Sequence, residues 1–248
     1  MCNIIAIVQT RLGSTRLPNK AFLELEGNPM IYHICNRLKA SRLINKVVIA
    51  TTKLPKDALL QDWAEHNGIT CFRGSEDNVL SRYYYAATEV EADIIVRITG
   101  DDPFKDSNII DLVIELLIRE DLDFACNNFP PSFPEGLDVE VFTYSAIKKA
   151  FENSIDVFEK EHVTQYFYRN TNLVKMKNFA YSEDMSHLRL TVDTQKDFML
   201  AGEIYNRLYS TNEFFGFDEI ISLYKSEPDL FKINQNEKRS AMYNNSKI

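Results

Sequence analysis

The stretch "NIIAIVQTRLGSTRLPNK", residues 3–20, decides how this chain is read. Ile4–Val8 is a short apolar run and reads as a buried strand. It passes directly into a polar loop that carries Arg11, Gly13, Ser14, Arg16, Pro18 and then Lys20. A loop between a strand and a helix presents successive backbone N–H groups, which cradle phosphate. Gly13 permits close backbone approach. Arginine supplies paired donors to phosphate and lysine a point charge. The spacing matches neither GxxxxGK[ST] nor GxGxxG. Three cations in one tight loop fit a polyphosphate; the alternative is a solvated basic turn.

Outward from that loop the chain alternates. Residues 29–41 read as a helix with Pro29 in its first turn and Ile31, Ile34, Cys35 and Leu38 on one stripe. Strand 46–52 and helix 57–68 follow, the helix stopped by Gly68. Strand 69–74, helix 78–90 capped by Asn78, strand 92–100 and helix 107–120 capped by Ser107 complete four repeats. This order predicts an α/β fold with a mostly parallel central sheet covered by helices. Ligands in such sheets lie at the carboxyl ends of the strands. The opening loop and "TGDDP" (99–103) both follow strands and are expected on one edge.

The second half is less regular. Residues 123–143 hold three of the eight prolines and read as a loop leading into a strand at Leu137, Val139 and Val141. Residues 145–154 and 161–170 read as helices, 187–194 as a strand, and 195–209 and 216–228 as closing helices. The segment 232–248 is polar and is read as a partly disordered tail.

Composition narrows the function. Thirty-six acids against 28 bases give a net charge of −8, which argues against general nucleic-acid or anionic-membrane binding. Cys2, Cys35, Cys71 and Cys126 form no CxxC pair, so neither a zinc site nor a disulfide framework is expected. No apolar run approaches the ~18 residues of a membrane span. No basic region precedes the first apolar run, so no signal peptide is expected. A cytoplasmic location follows from these readings.

A triphosphate held by cations needs a metal to complete its charge balance, and Mg²⁺ takes carboxylate and phosphate oxygens. Asp101, Asp102 and Asp193 are the candidates, although an Asp before Pro103 also suits a plain turn. Of the histidines, His33 and His66 read as structural, while His162 beside Glu161 is kept as a candidate. The "YYY" at 83–85 and Trp63 read as packing residues.

Six segments in order resemble the sugar-activating cytidylyltransferases, in particular the branch named after spore-coat polysaccharide biosynthesis. They are "QTRLGSTRLPNKAFLELEGNPMI", "FRGSEDNVLSRYYYAA", "DIIVRITGDDPFKD", "EGLDVEVFT", "EKEHVTQYFY" and "LRLTVDTQKDF". The resemblance covers residues 3–200. It implies a Rossmann-like, GT-A-like nucleotidyltransferase domain over 1–231 and a protruding lobe at 129–180 for dimerisation and acceptor binding. It implies transfer of CMP from CTP to an acidic or modified sugar with release of pyrophosphate, with Mg²⁺ as cofactor and a homodimer as the assembly. Carried onto this chain, Arg11, Lys20 and Asp101 are catalytic. Thr10, Arg11, Gly13, Ser14, Arg16, Lys20, Arg73, Gly74, Asp77, Asn78 and Val79 face the nucleotide. Asp101 and Asp193 hold the metal, with Asp101 equally readable as a base. Asp138, Glu140, Glu161 and His162 meet the acceptor.

Three positions depart from the family pattern: Gln9-Thr10 before the first arginine, Asp102 where that branch often has Cys, and Gln195-Lys196 where a Pro and an acid are common. Arg169, Lys175 and Arg189 are the candidates for an acceptor carboxylate, with plain surface solvation an equal reading for each. The competing readings are another NTP or a phosphorylated non-sugar acceptor, a GT-A-like glycosyltransferase, and a non-catalytic relative.

Overall fold

Strand β1 (Ile4–Gln9) forms where the opening apolar run predicts it and lies inside the sheet, flanked on both sides. The computed structural model describes residues 2–237. A two-residue hairpin, β2 (Glu24–Leu25) and β3 (Asn28–Pro29), precedes α1 (Met30–Lys39). Then come β4 (Lys46–Thr52), α2 (Ala58–His66), β5 (Thr70–Gly74), α3 (Val79–Glu89), β6 (Ile94–Thr99) and α4 (Ser107–Arg119). The second half supplies β7 (Phe124–Cys126), β8 (Glu140–Thr143), α5 (Tyr144–Asn153), α6 (Val157–His162), α7 (Gln165–Arg169), β9 (Met176–Asn178), α8 (Gln195–Leu208) and α9 (Phe217–Ser226).

The seven-stranded sheet has the order β5-β4-β1-β6-β8-β7-β9. Its first four strands are parallel. β8 runs antiparallel to both neighbours, and β9 parallel to β7. The chain moves outward from β1 through β4 to β5, then returns to lay β6 on the other side of β1. That reversal opens a crevice at the carboxyl ends of β1 and β6, the place where open α/β sheets take ligands. Helices cover both faces, which is why β1 is apolar throughout rather than alternating. Ile4, Ala6 and Val8 pack into one core with residues of α1, α2, α4, α8 and α9, while Ile5 and Ile7 face a second core with α3, α5 and α7. Tyr83 on α3 ties the two central strands together: its hydroxyl lies 3.2 and 3.1 Å from the carbonyls of Ile7 and Ile98.

Several expectations change. The cap of α4 is Asp106, not Ser107: its Oδ1 accepts from the N–H groups of Asn108 and Ile109, and its Oδ2 from Phe217 N–H at 2.8 Å, which joins the starts of α4 and α9. The helix expected at 161–170 is broken into α6 and α7 at Val163, whose φ is +52°. The stretch 129–180, expected as a lobe, contributes β8 and β9 to the central sheet, and β7 forms just before it where the sequence reads as loop. Three- and four-residue strands carry too little periodicity to be seen in sequence. Residues 187–194 form no ladder, only an isolated bridge between Glu135 and Arg189. Within 232–237 Asn234 is buried and donates to Arg189 O and Asp197 Oδ1. The remainder of the expected tail, 238–248, lies outside the described residues. No described helix is long and apolar enough to cross a membrane.

Two glycines set how closely loops meet. A Cβ at Gly100 would lie 2.5 Å from Thr10 Cβ, so only glycine lets the turn after β6 press against the end of β1. Gly136 has φ +104°, and a Cβ there would meet Thr191 N at 2.6 Å. Gly136→Ala is therefore expected to destabilise the protein by ~2 kcal/mol or more, read as a lower urea midpoint. An unchanged midpoint would show that the 188–192 segment yields freely.

Candidate active site

The loop after β1 is pinned from beneath. Leu12 and Leu17 are buried. Leu12 N–H donates to Asp57 Oδ1 at 2.8 Å, and Asp57 also accepts from Thr52. With its apolar residues turned in, the loop turns Arg11 and Arg16 outward, each about half exposed. Arg11 reaches Glu76 at 3.2 Å and Arg16 reaches Asp193 at 3.0 Å.

Lys20 is different. Its side chain is partly buried, and Nζ lies 3.0 Å from Asp101 Oδ2, 2.8 Å from Asp193 Oδ1 and 3.2 Å from Val192 O. Burial disfavours its charge, but the two carboxylates outweigh that and raise its pKa above the ordinary lysine value. For Asp101 burial pushes upward, and Lys20 overcomes it to hold the carboxyl below the usual range. Val192 N–H donates to Asp101 O at 2.8 Å, so the extended segment 187–194 delivers Asp193 to the end of β6 without becoming a strand. Asp193 precedes the capping box of Thr194 and Asp197 at the start of α8. Arg189 holds that corner, buried among Glu135, Asp193 and Asp197.

Two cavities meet at Asp101 and Asp193. The larger, about 670 Å³, is lined by the loop residues Thr10, Arg11, Gly13, Ser14, Arg16 and Lys20, and across from them by Asp77, Val79 and Arg82. The smaller, about 220 Å³, is lined by Asp138, Glu140, Arg97, Lys105 and Tyr168 among others. Both cavities include Arg16, Thr99, Asp101 and Asp193. A ligand in one therefore faces a ligand in the other across the Lys20 cluster.

Some expected residues sit elsewhere. Arg73 is anchored by the carbonyls of Thr52 and Leu54 and by Gln61, and braces the segment after β4. Asn78 caps α3 through Ser81 N–H. Gly74 is buried under Phe72 and Arg82. None of these three lines the larger cavity, while Asp77 and Val79 do. Glu161 and His162 line the larger cavity rather than the smaller, so they face the loop and not the pocket of Asp138 and Glu140. Burial lowers the His162 pKa, with Arg97 adding to it against Glu161, which favours the neutral ring. His33 is buried against Tyr205 and Tyr209, as a packing residue.

Sequence reading missed Arg97, Lys105, Tyr168 and Arg82. Arg97 had a signal: it is the lone charge in the otherwise apolar run "IIVRI". It forms a buried ion pair with Glu140. Glu140 Oε1 accepts from Thr164 Oγ1 at 2.9 Å and Tyr168 hydroxyl at 2.7 Å. Burial raises the Glu140 carboxyl, but Arg97 and these donors bring it below its ordinary value. Asp102, one of the departures from the family pattern, is matched by Lys105 at 2.9 Å and accepts from Thr99 at 2.6 Å. Burial, with Asp101 adding to it against Lys105, still pushes its carboxyl up to about 6.

A doubly wound sheet with a cationic loop after its first strand, and an acid pair at the neighbouring strand end, defines a nucleotidyltransferase arrangement. Comparison with known proteins agrees. The family model described as Cytidylyltransferase matches residues 5–248. A protein of Methanocaldococcus jannaschii, itself uncharacterised, is 35% identical over 240 residues, covering 96% of this chain and 97% of that one. A spore coat polysaccharide biosynthesis protein of Bacillus subtilis is 28% identical over 236 residues, covering 92% and 97%. The structure of a cytidylyltransferase from Leptospira borgpetersenii superposes with a TM-score of 0.89 at 32% identity, covering 97% of this chain and all of that one. The chain belongs to the cytidylyltransferase family. It is a nucleotidyltransferase, which removes the glycosyltransferase reading.

The Glu140 carboxyl titrates lower folded than unfolded. Its contribution to stability is complete above the unfolded value of about 4.3 and is lost as pH falls through the folded value. Glu140→Gln is expected to lower stability by roughly 3 kcal/mol at pH 7, with the gap narrowing below about pH 4. Urea midpoints of both proteins across that range check this; a constant gap would mean Glu140 is not paired as an anion.

Proposed function

We propose that this protein transfers a cytidylyl group from CTP to a sugar hydroxyl, releasing pyrophosphate, in surface polysaccharide or glycan assembly. Family membership and the spore-coat relative support the chemistry and the setting. The observation that carries the reading is Lys20, partly buried between Asp101 and Asp193 where the two cavities meet. The triphosphate lies in the larger cavity with Arg11, Arg16 and Lys20 along it. The acceptor lies in the smaller one.

The acceptor oxygen attacks the α-phosphorus in line with the oxygen that bridges to the β-phosphate. One P–O bond forms and the other breaks, and the electron pair leaves with pyrophosphate. The hydroxyl proton passes to the carboxylates at the border. Such transfers need positioning and charge stabilisation more than covalent help. Lys20 and the arginines act on charge developing at the α-phosphate and on the leaving group. Removing one such donor costs about 10²–10³ in kcat. Lys20→Met is expected to lose that much while keeping its fold, measured by pyrophosphate release beside circular dichroism. Retained turnover would remove Lys20 from the chemistry.

A divalent metal fits the donor set. Asp101 and Asp193 already point one oxygen each at a single cation, the Lys20 ammonium, and Mg²⁺ takes one or two carboxylates plus substrate phosphates. When bound it would neutralise phosphate charge and polarise the α-phosphoryl oxygens. Among the described residues no group of three or more His, Cys, Asp or Glu is arranged to hold a metal. Binding by the protein alone is therefore expected to be weak and to tighten when the nucleotide supplies oxygens. Mn²⁺ titration followed by electron paramagnetic resonance, with and without CTP, tests this. Equal tight binding without CTP would contradict the assignment.

A further inference from the structure

Gly13 lines the larger cavity. Its backbone does not require glycine, since its φ lies outside the left-handed region. What glycine supplies there is room. A Cβ at this position would lie 2.6 Å from Lys56 Nζ and 3.4 Å from Lys56 Cε, with Arg11 Cδ at 4.0 Å. The Lys56 ammonium therefore rests on the loop beside Arg11. It comes from outside the loop, from the turn Pro55–Asp57 that follows β4. The next residue, Asp57, is buried and accepts from Leu12 N–H at 2.8 Å. One short turn thus pins the loop through Asp57 and lays Lys56 against it. Among the described residues Lys56 has no ion pair or hydrogen bond, and the N–H groups of Gly13, Ser14, Thr15 and Arg16 have no acceptor.

We infer, resting on the nucleotidyl transfer proposed above, that Lys56 binds the terminal phosphates of the nucleotide and so holds the leaving pyrophosphate. An ammonium on a flexible stem gains nothing by standing beside another cation. Arg11 and Lys56 side by side, next to free backbone N–H groups, make a seat for an anion. The sheet order says which part of the nucleotide reaches it. β4 and β6 flank β1 on opposite sides. Asp101 follows β6 and Lys56 follows β4, so the two stand on opposite flanks of the loop. With the α-phosphate at Lys20 and Asp101, a phosphate chain that follows the loop ends at Gly13 and Lys56. When the bond from the α-phosphorus to the bridging oxygen breaks, its electron pair stays on the β-phosphate. Lys56 meets the pyrophosphate that carries this charge.

The test is calorimetric titration of the full chain with CTP, CMP and inorganic pyrophosphate, each with Mg²⁺. Lys56→Met is expected to weaken CTP and pyrophosphate binding by about tenfold, the worth of one charged hydrogen bond, and to leave CMP unchanged. Lys56→Arg, which keeps the charge, is expected to restore most of the loss. Equal losses for CMP and CTP would show that Lys56 supports the loop as a whole, and would overturn the inference. Unchanged CTP and pyrophosphate binding overturns it too, as does an Arg variant as weak as the Met one. Pyrophosphate separates this from the parent reading. Wild-type protein that binds pyrophosphate but not CTP ends the nucleotide reading, and Lys56 is then judged on pyrophosphate. Wild-type protein that binds neither ends both.

Discussion

Lys20 is the point on which the arrangement turns. Its ammonium joins Asp101 and Asp193, which lie 81 and 173 residues away in the chain. Three segments must converge for that contact: the loop after β1, the turn after β6 and the corner before α8. The parallel pairing of β1 with β6 supplies the first two, with Gln9 opposite Thr99 at the end of the ladder. Gly100 allows the turn to close on Thr10. Gly136 lets the 188–192 segment lie against its neighbour, and Val192 then bonds to the backbone of Asp101. A partly buried ion cluster of this kind is weak as a source of stability, because desolvation offsets the attraction. Its value is positional. It holds two carboxylates and one cation ready at the boundary of two cavities.

The same logic explains how an acidic protein handles an anionic substrate. The net charge gives no general attraction for phosphate. Instead the cations are placed locally. Arg11 and Arg16 stay at the surface of the loop, each touching one acid, where exposed pairs are worth little and open readily. Arg97 and Lys105 are buried, with acids matched to them one for one. The exposed cations are therefore available to a triphosphate, while the buried ones define the shape and charge of the second cavity.

Much of this was legible in the sequence. The alternation over residues 3–120 gave the parallel half-sheet because its strands are long and its helices are capped or striped. The loop and "TGDDP" were placed on one edge because both follow strands, and Lys20 does meet Asp101 there. The second half resisted. β7, β8 and β9 have three or four residues each, and what identifies them is their partners in the sheet, which no local pattern records. The extended segment 187–194 looked like a strand because its residues alternate, yet it changes partner from Glu135 to Asp101 along its length. Arg97 and Lys105 are illegible in sequence for a related reason. A charge within an apolar run signals a buried partner, but Glu140 is 43 residues away and cannot be named from spacing. The motif assigns Arg73 and Asn78 to the nucleotide; in the structure Arg73 braces the segment after β4 and Asn78 caps α3.

The measurement that tests the central claim most directly is a crystal structure of the protein with CTP and Mg²⁺. The account predicts the triphosphate in the larger cavity, Lys20 Nζ in contact with phosphate oxygen, and the carboxylates of Asp101 and Asp193 facing the α-phosphate. A nucleotide bound elsewhere would contradict it, as would Lys20 still paired with both acids and touching no phosphate.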